Sequence, residues 1–137
     1  MAAAARFGVG VRSATVLEPG ELVRRIEVPR PPAGTRQCYL KFRTRHSIDF
    51  PIAGVAAAVT LSRGRVREAR LVLGAAAPVP LRATGAEAFL EGRRLDEATI
   101  AEAAECALAD AVPLGENRYK VALLRTLVQR ALQQLAG

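Results

Sequence analysis

The sequence predicts an α+β domain, an antiparallel β-sheet of three to four strands followed by three helices packed on it. Two patterns lead to this prediction. Apolar and polar side chains alternate through the first half of the chain, as in strands, and apolar residues recur at three- and four-residue steps in the second half, as in helices. Because every predicted strand precedes every predicted helix, helices covering one antiparallel sheet are favoured over alternating β–α units.

The strand predictions rest on alternation bounded by glycine and proline. One predicted strand has an apolar face and a reverse face of small residues (Gly54, Ala56, Ala58, Thr60), which would let a helix or a second subunit approach closely. The short connection SRGR over residues 62–65 predicts a hairpin. Prolines end the first segment, and Gly74, Pro78 and Pro80 are expected to close the sheet. The four predicted strands are residues 21–28, 37–44, 54–61 and 66–73.

The helix predictions rest on caps and on apolar stripes. Thr84 and Glu87 match a capping box for a short first helix that ends near Gly92. Asp96 is a good N-cap for the second helix, and Asn117 is the predicted cap of the third. The third helix carries an apolar stripe of Val121, Leu124, Val128, Ala131 and Leu135. Five glutamates are assigned to solvated helix faces: Glu87, Glu91, Glu97, Glu102 and Glu105.

Composition limits the possible function. The 137 residues suffice for one domain, expected over residues 16–137 after a flexible segment of residues 1–15. The absence of a long apolar run and of a signal-peptide pattern predicts a cytosolic protein without a membrane span. Cys38, Cys106 and the single His46 are too few for a zinc site or an iron–sulfur cluster, which excludes a self-contained metalloenzyme. Both cysteines are expected to be reduced packing residues.

The positive charge is concentrated in one part of the chain. Of 20 basic residues, 18 are arginine, and residues 24–70 hold ten arginines and Lys41 against three acidic residues. This excess of eight exceeds the net charge of +7 for the whole chain. Such asymmetry indicates an anionic partner, whether nucleic acid, a phosphate-bearing cofactor or an acidic protein surface. The alternative is an arginine-rich solvated strand face without a partner.

Two catalytic motifs are incomplete. Gly8-Val9-Gly10 begins like a dinucleotide fingerprint but lacks the third glycine and a preceding strand. His46, Ser47 and Asp49 include the residue types of a hydrolase triad, but residues so close in sequence seldom converge on a substrate. Neither motif supports an assignment.

Residues 39–50 (YLKFRTRHSIDF) are the most informative segment. They bring basic side chains to a strand end, where a Lys or Arg could form charge-assisted hydrogen bonds to a phosphate or to the electron-rich edge of a ring. Asp49 could equally pair with Arg43 or Arg45 and have no other role. The pattern does not choose between these alternatives.

At family level the chain resembles the C-terminal domain of the FAD-binding (medium) subunit of molybdenum hydroxylases, the carbon monoxide dehydrogenase flavoprotein and xanthine dehydrogenase family. Four segments in the right order carry the resemblance: LEPGELVRRIEVP, YLKFRTRHSIDFPIAGVAAAVTL, ARLVLGAAAPVPLRATGAEAFLEG and ENRYKVALLRTLVQRAL. The similarity extends over nearly everything from Phe7 onward. It implies antiparallel strands followed by three helices, in agreement with the independent prediction above.

The resemblance also implies a role beside FAD. In the family this domain closes over the flavin, which takes electrons from iron–sulfur clusters and passes them to an external acceptor. By position, Lys41 matches a lysine near the flavin and Val23 an apolar residue that contacts it. Arg45 and Asp49 match the loop beside the isoalloxazine ring. These four residues are the predicted cofactor-binding set, and no catalytic residue or metal ligand is predicted.

The chain departs from the family pattern in the loops that bind FAD. The glycine-rich loops that hold the FAD pyrophosphate belong to upstream lobes, and the chain shows none of them, so tight FAD binding by this chain alone is not expected. The expected partners are FAD-binding lobes on another chain, with iron–sulfur and molybdenum-cofactor subunits. The hypothesis is a stand-alone or split C-terminal domain that covers the flavin. The alternatives are a self-associating scaffold without a ligand, and a basic nucleic-acid-binding module.

Overall fold

The computed structural model describes residues 15–45 and 48–137, and it confirms the predicted α+β class. Four strands form one antiparallel sheet in chain order, and three helices follow. The elements are β1 (Thr35–Phe42), β2 (Ala53–Ser62), β3 (Arg65–Gly74), β4 (Leu81–Arg82), α1 (Thr84–Leu90), α2 (Glu97–Cys106) and α3 (Tyr119–Ala136).

The strand predicted over residues 21–28 is wrong. This segment has no regular secondary structure, and Leu22, Ile26 and Val28 are exposed. Alternation makes a segment able to extend, but a strand also needs a neighbour to pair its backbone groups, and none of the described residues pairs with this segment as a strand. The fourth strand is instead β4, which follows the prolines that were expected to close the sheet and pairs with the end of β3.

The central hairpin has the predicted position and a tight turn. Arg63 and Gly64 form its two-residue loop with φ of 50° and 73°, the left-handed conformation of a type I′ turn. On β2 the predicted apolar face is correct, since Val55, Ala57 and Val59 are buried.

A β-bulge at Arg67 changes which β3 side chains point into the core. Opposite β2, Thr60 pairs with Glu68 and Leu61 pairs with Val66, which leaves Arg67 as the extra residue. Strict alternation would place Val66 on the opposite face from Ala69. The bulge brings both side chains into the core and leaves Arg67 exposed.

The helices cover one face of the sheet, and they differ in how closely they contact it. Helix α1 packs on β3, and α3 crosses β2 and β1. Helix α2 lies mainly against α1 and α3, so two of the three helices touch the sheet directly. The large fully buried side chains of the core come from both layers: Leu71, Leu73, Leu90, Leu132, Val55, Val59, Val66 and Val128.

The three helix starts differ from one another. Asp96 caps α2 as predicted, because its carboxylate accepts a hydrogen bond from the Thr99 N–H at 2.8 Å. The predicted capping box at Thr84 is wrong: Ala83 is the N-cap of α1, without a side-chain bond, and Glu87 is directed elsewhere. The predicted Asn117 cap is also wrong, since Arg118 holds that position and its side chain makes no capping bond.

Residues 1–14 lie outside the described ranges, and with them nearly all of the predicted flexible segment and the Gly8-Val9-Gly10 motif. Over the described residues, no helix combines the length and apolar character that a membrane crossing requires.

Candidate functional site

The candidate site lies in the loop between β1 and β2. The backbone N–H of Ile52 donates to the carbonyl of Phe42 at 2.9 Å, which closes the base of this loop where the two strands begin to pair. His46 and Ser47, two members of the weak triad motif, lie outside the described residues. The loop therefore presents its remaining side chains at one end of the sheet.

Asp49 organises the basic residues around it. Its backbone carbonyl accepts a hydrogen bond from Lys41 Nζ at 2.5 Å, and its carboxylate forms an ion pair with Arg45 at 3.3 Å. The second carboxylate oxygen accepts from the Phe50 N–H at 3.0 Å. The Asp49 side chain is only 22% exposed, whereas that of Arg45 is 74% exposed. The structure contains the pairing of Asp49 with Arg45, which is one of the two that the sequence left open.

Three of the four predicted site residues are thus brought together. Lys41, Arg45 and Asp49 form one hydrogen-bonded group, and Asp49 holds the two cations in place. Val23 is not part of this network. It lies in the irregular stretch before β1, with 51% of its surface exposed. Its predicted contact with a flavin remains a prediction.

Exposed apolar side chains accompany this group. Phe50 and Ile48 in the loop are almost fully exposed, at 91% and 104%. Large apolar side chains are more often buried, and a contiguous exposed patch of them is typical of an interaction surface. Further exposed apolar residues lie in the segment before β1: Val16, Leu22, Val23, Ile26 and Val28.

The sheet face away from the helices is open. Tyr39 and Ala56 on this face are exposed, and a shallow concavity of about 460 Å³ extends between Tyr39, Ala58 and Arg70. The Tyr39 hydroxyl leans over Gly54, where an added Cβ would lie 3.2 Å from it. Small residues on the reverse face of β2, which the sequence identified, make this shallow surface.

A second concavity lies at the ends of the helices. Its volume is about 410 Å³, and its lining includes Leu73, Arg82, Cys106 and Lys120. Lys120 donates to the carbonyl of Ala75 at 3.3 Å. Lys41, Val23, Arg45 and Asp49 line neither of these two concavities. Three of them, Lys41, Val23 and Arg45, are exposed.

The ion pair between the buried Glu87 and the half-exposed Arg82 was not predicted from the sequence. Glu87 was assigned to a solvated face, but its side chain is 8% exposed. Burial raises the pKa of this carboxyl, but hydrogen bonds from Arg82 and from the Leu71 N–H outweigh burial and hold its pKa below the ordinary value. The same hydrogen bond raises the pKa of Arg82. An arginine five residues before Glu87 was the sequence signal for this pair.

The two cysteines are free thiols packed against the core. Cys38 donates to the carbonyl of Ala131 at 3.6 Å, and burial raises its pKa, so the thiol is protonated and weakly nucleophilic. Among the residues that the structure describes, no three His, Cys, Asp or Glu side chains are grouped as metal ligands.

Comparison with known proteins gives a consistent result. A family model, CO dehydrogenase flavoprotein C-terminal domain, matches residues 37–135. The alpha subunit of the 6-hydroxypseudooxynicotine dehydrogenase complex of Paenarthrobacter nicotinovorans is 34% identical over 119 residues, covering 83% of this chain and 40% of that subunit. The xanthine dehydrogenase FAD-binding subunit of Escherichia coli O157:H7 is 27% identical over 110 residues, covering 77% of this chain and 38% of that subunit.

Solved structures share the fold. A chain of reconstituted CO dehydrogenase from Oligotropha carboxidovorans superposes with a TM-score of 0.80 at 30% identity, covering 89% of this chain and 44% of that chain. The present chain spans about two fifths of the length of the curated relatives it matches.

Proposed function

Because the chain belongs to the CO dehydrogenase flavoprotein C-terminal domain family, we propose that it forms one wall of a flavin site in a molybdenum hydroxylase complex. FAD would be held mainly by lobes outside the described residues, and iron–sulfur and molybdenum-cofactor subunits would complete the electron path. When bound, the flavin would supply two-electron redox chemistry between those clusters and an external acceptor. The observation that carries the proposal is the position of Lys41 in a group of cations beside exposed apolar side chains.

Lys41 is suited to bind an electron-rich ring edge. Its ammonium group has three N–H donors, and one is used on the Asp49 carbonyl. The remaining two can donate to carbonyl oxygens of a ring that approaches the exposed strand. A fixed positive charge at this position also stabilises negative charge that develops on such a ring.

Asp49 and Arg45 serve as positioning residues in this proposal. The Asp49 carbonyl fixes the direction of the Lys41 side chain, and its carboxylate fixes Arg45. Arg45 keeps unused N–H donors toward solvent, where a polar part of the cofactor or of a partner lobe can accept them. Val23, from the segment before β1, supplies an apolar contact.

The four predicted residues are better suited to form one side of a flavin site than to enclose the flavin in a pocket. The four predicted residues line neither described concavity, and an open surface buries too little of a ligand for tight binding. The exposed apolar residues beside them would be covered by the FAD-binding lobes. Covering the flavin would then exclude water from the ring side that faces Lys41.

The test is a flavin-retention experiment on the full chain. The chain is mixed with FAD, with and without the separately produced FAD-binding lobes of a CO dehydrogenase medium chain, and desalted. We expect no flavin absorbance above 400 nm with the chain alone, and more flavin retained by the mixture than by the lobes alone. Retention by the chain alone, or no gain in the mixture, would overturn the proposal.

The chain's two lysines provide a matched pair of variants. Lys41→Ala is expected to weaken flavin retention in the mixture about tenfold, the value of one charge-assisted hydrogen bond. Lys120→Ala removes the same charge and also a hydrogen bond to a backbone carbonyl, but Lys120 makes no contact with the group around Asp49, and its loss should leave retention unchanged. Equal losses in both variants would contradict a specific role for Lys41.

A further inference from the structure

We propose that five arginines at the hairpin end of the sheet form a binding surface for a carboxylate-rich protein partner. This arginine surface consists of Arg63, Arg65, Arg67, Arg93 and Arg94, all of which are exposed. Three come from the hairpin, and two come from the loop that joins α1 to α2. It is separate from the group around Lys41.

Backbone hydrogen bonds hold the two parts of the surface together. The Val66 N–H donates to the Arg93 carbonyl at 2.8 Å, and the Gly92 N–H donates to the Val66 carbonyl at 2.8 Å. Arg65 adds a side-chain bond to the Gly92 carbonyl at 3.0 Å. The loop is therefore bound to the hairpin like a short extra strand, and arginines distant in sequence become neighbours.

The β-bulge adds Arg67 to this surface. Because Arg67 is the extra residue opposite β2, Val66 is buried while Arg67 is exposed between it and Glu68. Bulges commonly redirect a side chain in this way. The bulge therefore places Val66 in the core and Arg67 on the arginine surface.

The five guanidinium groups form none of the close carboxylate ion pairs that other arginines of the described residues form. Arg70 pairs with Glu68 at 2.8 Å, and Arg125 pairs with Glu105 at 2.6 Å. Among the described residues, none of the five forms an ion pair with a carboxylate within 4.0 Å. The nearby Asp96 carboxylate caps α2. Its hydrogen bonds to Thr99 lower its pKa, and the charge of Arg94 lowers it further without a close ion pair. An anionic partner would supply the carboxylates with which these exposed guanidinium groups can form ion pairs.

The chemistry of the surface favours a protein over a nucleic acid. Guanidinium groups match carboxylates in bidentate geometry. The surface offers no free aromatic ring on which a base could stack, because Phe89 is half-buried with the Arg93 guanidinium 4.3 Å above its ring.

The test uses three arginines with no structural hydrogen bond. The full chain carrying Arg63→Asn, Arg67→Gln and Arg94→Gln is compared with wild type for binding to labelled poly-L-glutamate at low salt by fluorescence anisotropy. We expect the triple variant to bind about tenfold or more weakly, and wild-type binding to weaken steeply with added salt. Circular dichroism verifies that the variant is folded.

A charge-matched control separates the surface from net charge. Arg24→Gln, Arg30→Gln and Arg130→Gln remove the same charge from exposed positions elsewhere, and binding should change by less than about twofold. An equal loss in the control would overturn the proposal. So would failure of wild type to bind poly-L-glutamate, or tighter and equally surface-dependent binding to a duplex DNA, which would make this a nucleic-acid site.

Discussion

The carboxylate of Glu87 on α1 accepts a hydrogen bond from the backbone N–H of Leu71 on β3 at 2.9 Å. Strand β4 has only two residues and pairs with Val72 and Leu73, so it stops short of this donor. Glu87 therefore takes the place of a missing strand partner. Arg82, on β4, binds the same carboxylate and compensates its charge.

Removing Glu87 is expected to destabilise the fold. Glu87→Ala leaves the buried Leu71 N–H without an acceptor, which costs about 1–3 kcal/mol in free energy of unfolding. The loss of the Arg82 ion pair adds less, because the Arg82 side chain is nearly half exposed. Urea unfolding measures the change. Glu91→Ala, on the exposed neighbouring turn, is the control, and equal effects of the two substitutions would contradict this role.

Stability should fall on acidification through Glu87. Its pKa is lowered in the folded state, so its contribution is present above the ordinary glutamate pKa and is lost as the pH falls through the lowered value. In Glu87→Gln this pH dependence disappears. Unfolding free energies measured between about pH 7 and pH 3 should therefore decline less steeply in Glu87→Gln than in wild type. Parallel pH profiles would count against the prediction.

The caps of α2 and α3 should respond differently to substitution. Asp96→Ala removes a capping bond and should cost about 1 kcal/mol. Asn117→Ala should be neutral or stabilising, because its buried side-chain oxygen has no hydrogen-bond partner within the described protein. Thermal unfolding of both variants tests this. A loss of similar size at Asn117 would restore the capping role that the sequence predicted.

The hairpin turn offers a stabilising substitution. Arg63 has φ of 50°, a left-handed conformation that disfavours arginine and that asparagine adopts more easily. Arg63→Asn should raise the free energy of unfolding by about 0.5–1 kcal/mol, whereas Gly64→Ala should lower it by about 1 kcal/mol or more. Chemical unfolding of the two variants provides the measurement, and a destabilised Arg63→Asn variant would contradict the turn assignment.

The candidate site was only partly predictable from sequence. Lys41, Arg45 and Asp49 lie within a few residues of one another, so their grouping follows from one strand end and one short loop. The choice of Arg45 as the partner of Asp49 depends on the path of that loop, which alternation does not specify. Val23 lies on a separate segment, and its relation to the others requires contacts that no local pattern encodes.

The sequence by itself determined the order of strands and helices, the buried face of β2, the stripe of α3 and the Asp96 cap. Each follows from side-chain spacing within one element, because periods of two and of about 3.6 residues set which side chains share a face. The tertiary structure decided that residues 21–28 form no strand, that Arg67 bulges and that Glu87 is buried. These outcomes depend on which distant segment supplies a backbone partner, and the spacing of neighbouring residues carries no information about that choice.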